Sequence, residues 1–168
     1  MISIIIVHYN VKNHLKLCLD TLYKYHNTSL FEVIIIDNNS DEKINDITNN
    51  RKNLSVYYSK YNKGYSKAVN YGIEKSKGSK ILLLNPDIIL NSDILNEMNN
   101  YLNTHNDVGI IGAKVLHANG KYQASSKRSF PYIYLGLIRL FFLDKLFYFN
   151  EFFGKYNYTY INKNTLLE

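Results

Sequence analysis

Three short polar clusters stand where long apolar runs stop: His8-Tyr9-Asn10, Asp37-Asn38-Asn39-Ser40 and Asn85-Pro86-Asp87. Each holds groups able to do chemistry. Asp37 offers a pure acceptor to an N–H donor on a ligand. Asp87 offers a hard carboxylate oxygen that a divalent cation could share with the phosphates of a substrate. Lys63 and Lys67 lie at the start of an expected helix, where cations and a helix terminus could face an anion. Neither G-x-G-x-x-G nor G-x-x-x-x-G-K-[ST] follows the first apolar run. That argues against a dinucleotide dehydrogenase and a P-loop NTPase, so a phosphate-bearing ligand would need a metal or cationic side chains.

Alternating strands and helices must position these clusters. "ISIIIV" (2–7) and "FEVIIID" (31–37) read as strands buried on both faces, "LSVYYSK" (54–60) as a weaker strand, and "KILLL" (80–84) as a fourth. Residues 108–116, "VGIIGAKVL", are expected as a fifth, followed by an Asn-Gly hairpin turn at 117–123. Helices are expected over 12–25, over 64–78 with Gly78 as its stop, and over 92–105 with Ser92 as its cap. Within the second, Ala68, Val69, Tyr71 and Ile73 should point inward. This order implies an α/β fold with a doubly wound, mostly parallel sheet. Such sheets bind ligands beyond the carboxyl ends of their strands. The three clusters are those ends.

Simpler roles exist for each residue. Asp37 to Ser40 could be a turn and helix cap, Asp87 a turn cap after Pro86, and Lys67 a solvated helix residue. His8 is expected in a pocket wall, and His14, His26, His105 and His117, which lack metal-ligand spacing, at the surface. Cys18, the single cysteine, sits among Leu15, Leu17, Leu19 and Leu22 and is expected as a buried thiol rather than a nucleophile.

The chain has 168 residues, 46% of them hydrophobic and 20% charged, enough for about one domain with a core. The charge is uneven. From Lys114 onward eight Lys and Arg face three carboxylates, giving +5 of the formal +6. The same region is aromatic and apolar, and "FPYIYLGLIRLFFLDKLFYFNEFFG" (130–154) is expected as one long helix after Pro131. On a single helix Arg139, Asp144 and Lys145 would point in separate directions, which favours packing on protein over lying flat on a membrane. Burial of 130–154 against an absent C-terminal half or another copy is therefore expected, so that the chain alone should self-associate, with peripheral membrane contact as the second option. The basic residues are too sparse for nucleic acid. No signal peptide and no apolar run of the ~20 residues that a span needs is visible, so a cytoplasmic protein, peripheral at most to the inner membrane face, is expected.

"ISIIIVHYN", "VIIIDNNSDE", "NKGYSKAVNYGI" and "ILLLNPDIIL" occur in the order and spacing of the nucleotide-sugar half of glycosyltransferase family two. The likeness covers roughly residues 1–130. It resembles most the rhamnosyltransferase-like branch, in which N-P-D replaces D-x-D. The resemblance implies an inverting hexosyl- or deoxyhexosyltransferase with a GT-A fold, placing a nucleotide-sugar domain at 1–128 and the start of an acceptor region at 129–168. Its donor would be a UDP, dTDP or GDP sugar, and its acceptor a saccharide or lipid-linked glycan, as in cell-wall or polysaccharide synthesis. By position, Tyr9 and Asn10 would line the base pocket, Asp37 would bond the base, and Asn39 would shape that pocket. Gly64 would admit the nucleotide to the backbone, Lys67 would lie near the phosphates, Asn85 by the ribose, and Asp87 would hold Mg²⁺ or Mn²⁺. The family's catalytic base lies in a later motif. After Asp107 the only acids here are Asp144, Glu151 and Glu168, and none sits in such a motif. The resemblance therefore implies a truncated piece, the donor half without its base. The alternative is a non-catalytic nucleotide-binding module or partner subunit.

Overall fold

The computed structural model describes residues 1–123, 126, 128–158, 160 and 161. Glu168 lies outside them. The chain divides into two compact units, Met1–Val108 and Gly109–Glu168, whereas the sequence places its boundary at 128/129.

The first unit is built on four parallel strands: β1 (Ile2–His8), β2 (Phe31–Asp37), β3 (Leu54–Tyr58) and β4 (Lys80–Leu83). Their order is β3-β2-β1-β4. β1 pairs with β2 from Ile2↔Phe31 to His8↔Asp37, and with β4 from Ile2↔Lys80 to Ile5↔Leu83. Strand order thus reverses between β1 and β4, the position at which doubly wound sheets open a ligand crevice. Helices cover both faces. Leu15, Cys18, Leu19 and Leu22 of α1 (Lys12–Tyr25) pack with Ile4, Ile6, Val33 and Ile35. Ile47 of the short α2 (Asn45–Thr48) and Leu95 of α4 (Ile94–Thr104) join that cluster. On the other face Ala68 of α3 (Tyr65–Lys75) packs with Ile34 and Ile36. Because successive strand residues face opposite sides, a sheet buried on both faces needs unbroken apolar runs. β1 and β2 have them.

Several local expectations change. α3 ends at Lys75, and Gly78 lies beyond it in a close crossing. A Cβ there would come within 2.7 Å of the Ser3 backbone nitrogen and 2.8 Å of the Met1 carbonyl oxygen. Ile73 is exposed, whereas Gly72 is buried in its place on α3. α4 begins at Ile94 with Asp93, not Ser92, at its N-cap position. His26 is buried rather than at the surface: its Nδ1 lies 2.8 Å from the Leu22 carbonyl oxygen, an i−4 bond at the end of α1.

In the second unit the expected strand at 108–116 forms no ladder. Gly109 and Gly112 weaken it, and Ile110 is 92% exposed. The hairpin turn is present, with a Leu116↔Tyr122 antiparallel bridge around Gly120. The long helix expected over 130–154 is broken into α5 (Ile133–Leu140), α6 (Leu143–Leu146) and α7 (Glu151–Gly154). Phe142 takes a left-handed φ of 57° between the first two, and the Asn150 side chain caps the third by accepting from the Phe152 and Phe153 amides.

Candidate functional site

The C-terminal ends of β1 and β2 are joined by a polar loop network. Asn10 adopts φ 52° and Asn39 φ 71°, left-handed positions that Asn tolerates better than most residues. The Asn10 amide donates to Ser40 Oγ at 3.1 Å, its side chain donates to Asp41 Oδ2 at 3.1 Å, and its Oδ1 accepts from the Asp41 amide at 2.9 Å. The Ser40 amide in turn donates to Asp37 Oδ1 at 2.7 Å. Asp37 is buried, and its second oxygen stands 4.0 Å from Nε2 of a fully buried His8. Among the described residues neither ring nitrogen of His8 has a hydrogen-bond partner. Burial holds the His8 pKa below its ordinary value, against the opposing pull of Asp37 and Glu42.

Asn38 is the residue that the sequence did not single out. It is buried at 3% exposure. Its amide donates to the His8 carbonyl at 2.8 Å, its Nδ2 to Asn62 Oδ1 at 2.7 Å, and its Oδ1 accepts from the Lys63 amide at 3.0 Å. Asn62 Oδ1 also accepts from the Gly64 amide at 2.9 Å. One buried amide side chain thereby fixes the approach to α3 against the ends of β1 and β2. Gly64 closes this loop at φ 79° and ψ 163°, a region that essentially only glycine occupies. A Cβ there would touch nothing within 4 Å, so backbone conformation, not crowding, calls for glycine.

At β4 the pairing ends with the Leu84 amide donating to the Ile5 carbonyl at 3.0 Å. Asn85 then opens a turn, its carbonyl accepting from the Ile88 amide at 3.3 Å and from Cys18 Sγ at 3.7 Å. The side chains of Asn85 and Asp87 are exposed. Cys18 is buried, and burial, helped by the negative charge of Asp87, pushes its thiol up to about 12. That excludes a thiolate nucleophile at neutral pH and places Asp87 within electrostatic reach of α1.

Asn10, Asp37 and Asn39 thus share one bonded loop pair, with Tyr9 half exposed beside it. Gly64 is tied to the same loops through Asn62 and Asn38, and Lys67 is exposed one turn into α3. Among the described residues no hydrogen bond or ion pair links Lys67 or Asp87 to the others, and no three His, Cys, Asp or Glu gather to hold a metal by themselves. Asp87 could hold one only with oxygens from a ligand and water, the usual habit of Mg²⁺ at a phosphate.

A parallel sheet of order β3-β2-β1-β4 with polar strand ends is that of a doubly wound α/β fold of the GT-A type. Solved structures with that fold match it. Residues 1–349 of TarS from S. aureus are 24% identical, with a TM-score of 0.58 over 70% of this chain and 38% of that one. The complex of the same protein with UDP-GlcNAc is 22% identical, with a TM-score of 0.57 over 71% of this chain and 41% of that one. An uncharacterized glycosyltransferase of Haemophilus influenzae is 31% identical over 110 residues, which make up 61% of this chain and 42% of that protein. The model of the family described as "Glycosyl transferase family 2" matches residues 3–164, and the chain belongs to that family. It spans less than half the length of these relatives.

Proposed function

We propose that this chain is the donor-binding portion of an enzyme that moves a hexosyl or deoxyhexosyl group from a nucleoside-diphosphate sugar to a saccharide or lipid-linked acceptor, with inversion. One observation carries this reading: the ends of β1, β2 and β4 and the Gly64 loop bring their polar groups to the carboxyl edge of the sheet, around the β1/β4 reversal. Asp37 Oδ2, the carboxylate oxygen not used by Ser40, would accept the ring N–H of a uracil or thymine. Tyr9, Asn10 and Asn39 would wall the base, and Asn85 would meet the ribose. Gly64 would let the diphosphate approach the backbone, and Lys67 would offset its charge. The UDP and UDP-GlcNAc complexes of TarS and the N-P-D sequence of the rhamnosyltransferase-like branch support a nucleotide-sugar donor.

Asp87 would hold Mg²⁺ or Mn²⁺ together with the diphosphate. Such an ion supplies charge neutralisation to a leaving diphosphate. In an inverting transfer the acceptor oxygen bonds to the anomeric carbon from the face opposite the diphosphate. The carbon–oxygen bond to the diphosphate breaks, and its electron pair leaves with that group. The acceptor proton goes to a base, a role that none of the residues above is assigned.

Calorimetric titration with UDP, dTDP and GDP, each with Mg²⁺ and with chelator, tests the reading. Binding of a uridine or thymidine diphosphate that strengthens with Mg²⁺ and loses that gain in Asp87→Ala is expected. Absence of nucleotide binding overturns the donor site, and an unchanged metal effect in Asp87→Ala removes Asp87 from it. A transfer assay with nucleotide sugars separates the donor half of an enzyme from a fully competent one: the 168-residue chain is expected to bind without turnover.

A further inference from the structure

His8 is a buried titratable group that the donor reading leaves without a task. It closes β1 in register with Asp37, the last residue of β2. Side chains in register on adjacent parallel strands share a face, and on this face Ile4, Ile6, Val33 and Ile35 pack against α1. The His8 backbone is tied down, its carbonyl accepting from the Asn38 amide at 2.8 Å. Its side chain is fully buried, yet among the described residues neither ring nitrogen reaches a hydrogen-bond partner. An imidazole N–H buried without an acceptor is costly, so such a group calls for a role that the empty site does not display. The acceptor it faces is Asp37 Oδ2, 4.0 Å from Nε2. Glu42, the other acid whose charge reaches His8, is exposed. A movement of about 1 Å brings Nε2 and Oδ2 into hydrogen-bond range.

That oxygen is the one assigned above to the base N–H, and the inference rests on that assignment. The Ser40 amide holds only Oδ1. A carboxylate held at one oxygen still turns about its Cβ–Cγ bond, a soft torsion. A second donor on Oδ2 would fix the plane of the group and aim the remaining lone pair of that oxygen. The facing carboxylate favours the tautomer that carries its proton on Nε2. Burial keeps the ring neutral at neutral pH by holding its pKa below the ordinary value. A neutral donor orients Asp37 without cancelling the charge that a base N–H would meet. We propose that His8 is a positioning residue: its Nε2–H closes on Asp37 Oδ2 when a nucleotide occupies the donor site, and so sets that carboxylate to select bases with a ring N–H, uracil or thymine, over cytosine.

Calorimetric titration with UDP and with its N3-methyl analogue, which lacks the ring N–H, tests this. His8→Leu removes the donor and keeps an apolar body in its place. It should weaken UDP about tenfold and leave the weaker binding of the analogue unchanged. His8→Gln, whose amide can donate from a similar position, should recover most of the UDP affinity. In an Asp37→Asn background His8→Leu should cost nothing further, because the two side chains act as one unit. In the unsubstituted chain the proton resonance of His8 Nε2–H should move downfield when UDP is added. Equal UDP affinity in His8→Leu and the parent overturns the proposal. An equal loss for UDP and the analogue also overturns it, by making His8 a packing residue alone. If His8→Leu does not fold, the resonance decides, and no shift on adding UDP overturns the proposal. Binding of neither compound by the parent overturns the donor site and this inference together, whereas failure of this inference alone leaves UDP bound.

Discussion

Asp37→Asn isolates one oxygen. In the parent, Asp37 Oδ1 accepts from the Ser40 amide at 2.7 Å and Oδ2 stands 4.0 Å from His8 Nε2. Asparagine keeps a carbonyl oxygen for Ser40, so the loop between β2 and α2 retains its anchor. It places an NH₂ where Oδ2 was. A base N–H arriving there meets a donor instead of an ionised acceptor. A hydrogen bond to a charged group is worth about 1.5–3 kcal/mol, so affinity for UDP should fall about 10- to 150-fold. Calorimetric titration measures the loss, and thermal unfolding shows whether the fold survives. The expected pair of results is a large loss of affinity with a small change in melting temperature. Unaltered UDP binding would refute the assignment of Oδ2 to the base. A collapse in stability together with unchanged affinity per folded molecule would make Asp37 a loop anchor alone.

Three further outcomes follow from the geometry. His8 has a folded-state pKa below the ordinary 6.5; the unfolded chain therefore takes up that proton first, and the stability associated with neutral His8 is complete above pH 6.5 and is lost as pH falls from there toward the folded pKa. His8→Gln should flatten the decline just below pH 6.5 in chemical denaturation, and an identical decline in both proteins would remove His8 as its source. Gly78→Ala forces a Cβ to 2.7 Å from backbone at Ser3, so it should cost about 1–3 kcal/mol as an overpacked contact; an unchanged melting temperature would show that the crossing can open freely. With a thiol near 12 and no exposure, Cys18 should resist Ellman's reagent at pH 8 in the folded protein and react on unfolding, and rapid native labelling would contradict its burial.

What could be read from the sequence was what is local. β1, β2 and α1 announce themselves because burial on two faces demands unbroken apolar runs, and burial on one helix face demands i, i+3, i+4 spacing. Asp37 and Asp87 stood out because each stops such a run. Asn38 did not, because its role depends on Asn62 and Lys63, two dozen residues away; in sequence it resembles any turn asparagine. Residues 108–116 have strand composition, but strand preference needs a neighbour to pair with. The break at Phe142 has no glycine or proline to signal it. Gly78 was legible as a glycine, but its reason, the approach of Ser3 and Met1, is tertiary.

The strand order also sets a timetable. β1 is synthesised before the other strands of its sheet and is one of the two inner strands, with Lys80–Leu83 on one flank and Phe31–Asp37 on the other. A ribosome adding about 5–20 residues per second needs roughly 4–16 s to reach β4. For that time the backbone of Ile2–Ile5 has an open edge even if β2 has already docked. Parallel pairing between distant segments is also slow once the chain is free. The nascent chain therefore carries a sticky, isoleucine-rich edge through most of the synthesis of its first unit. Its yield in a cell should depend on what shields "ISIIIV" until "KILL" emerges.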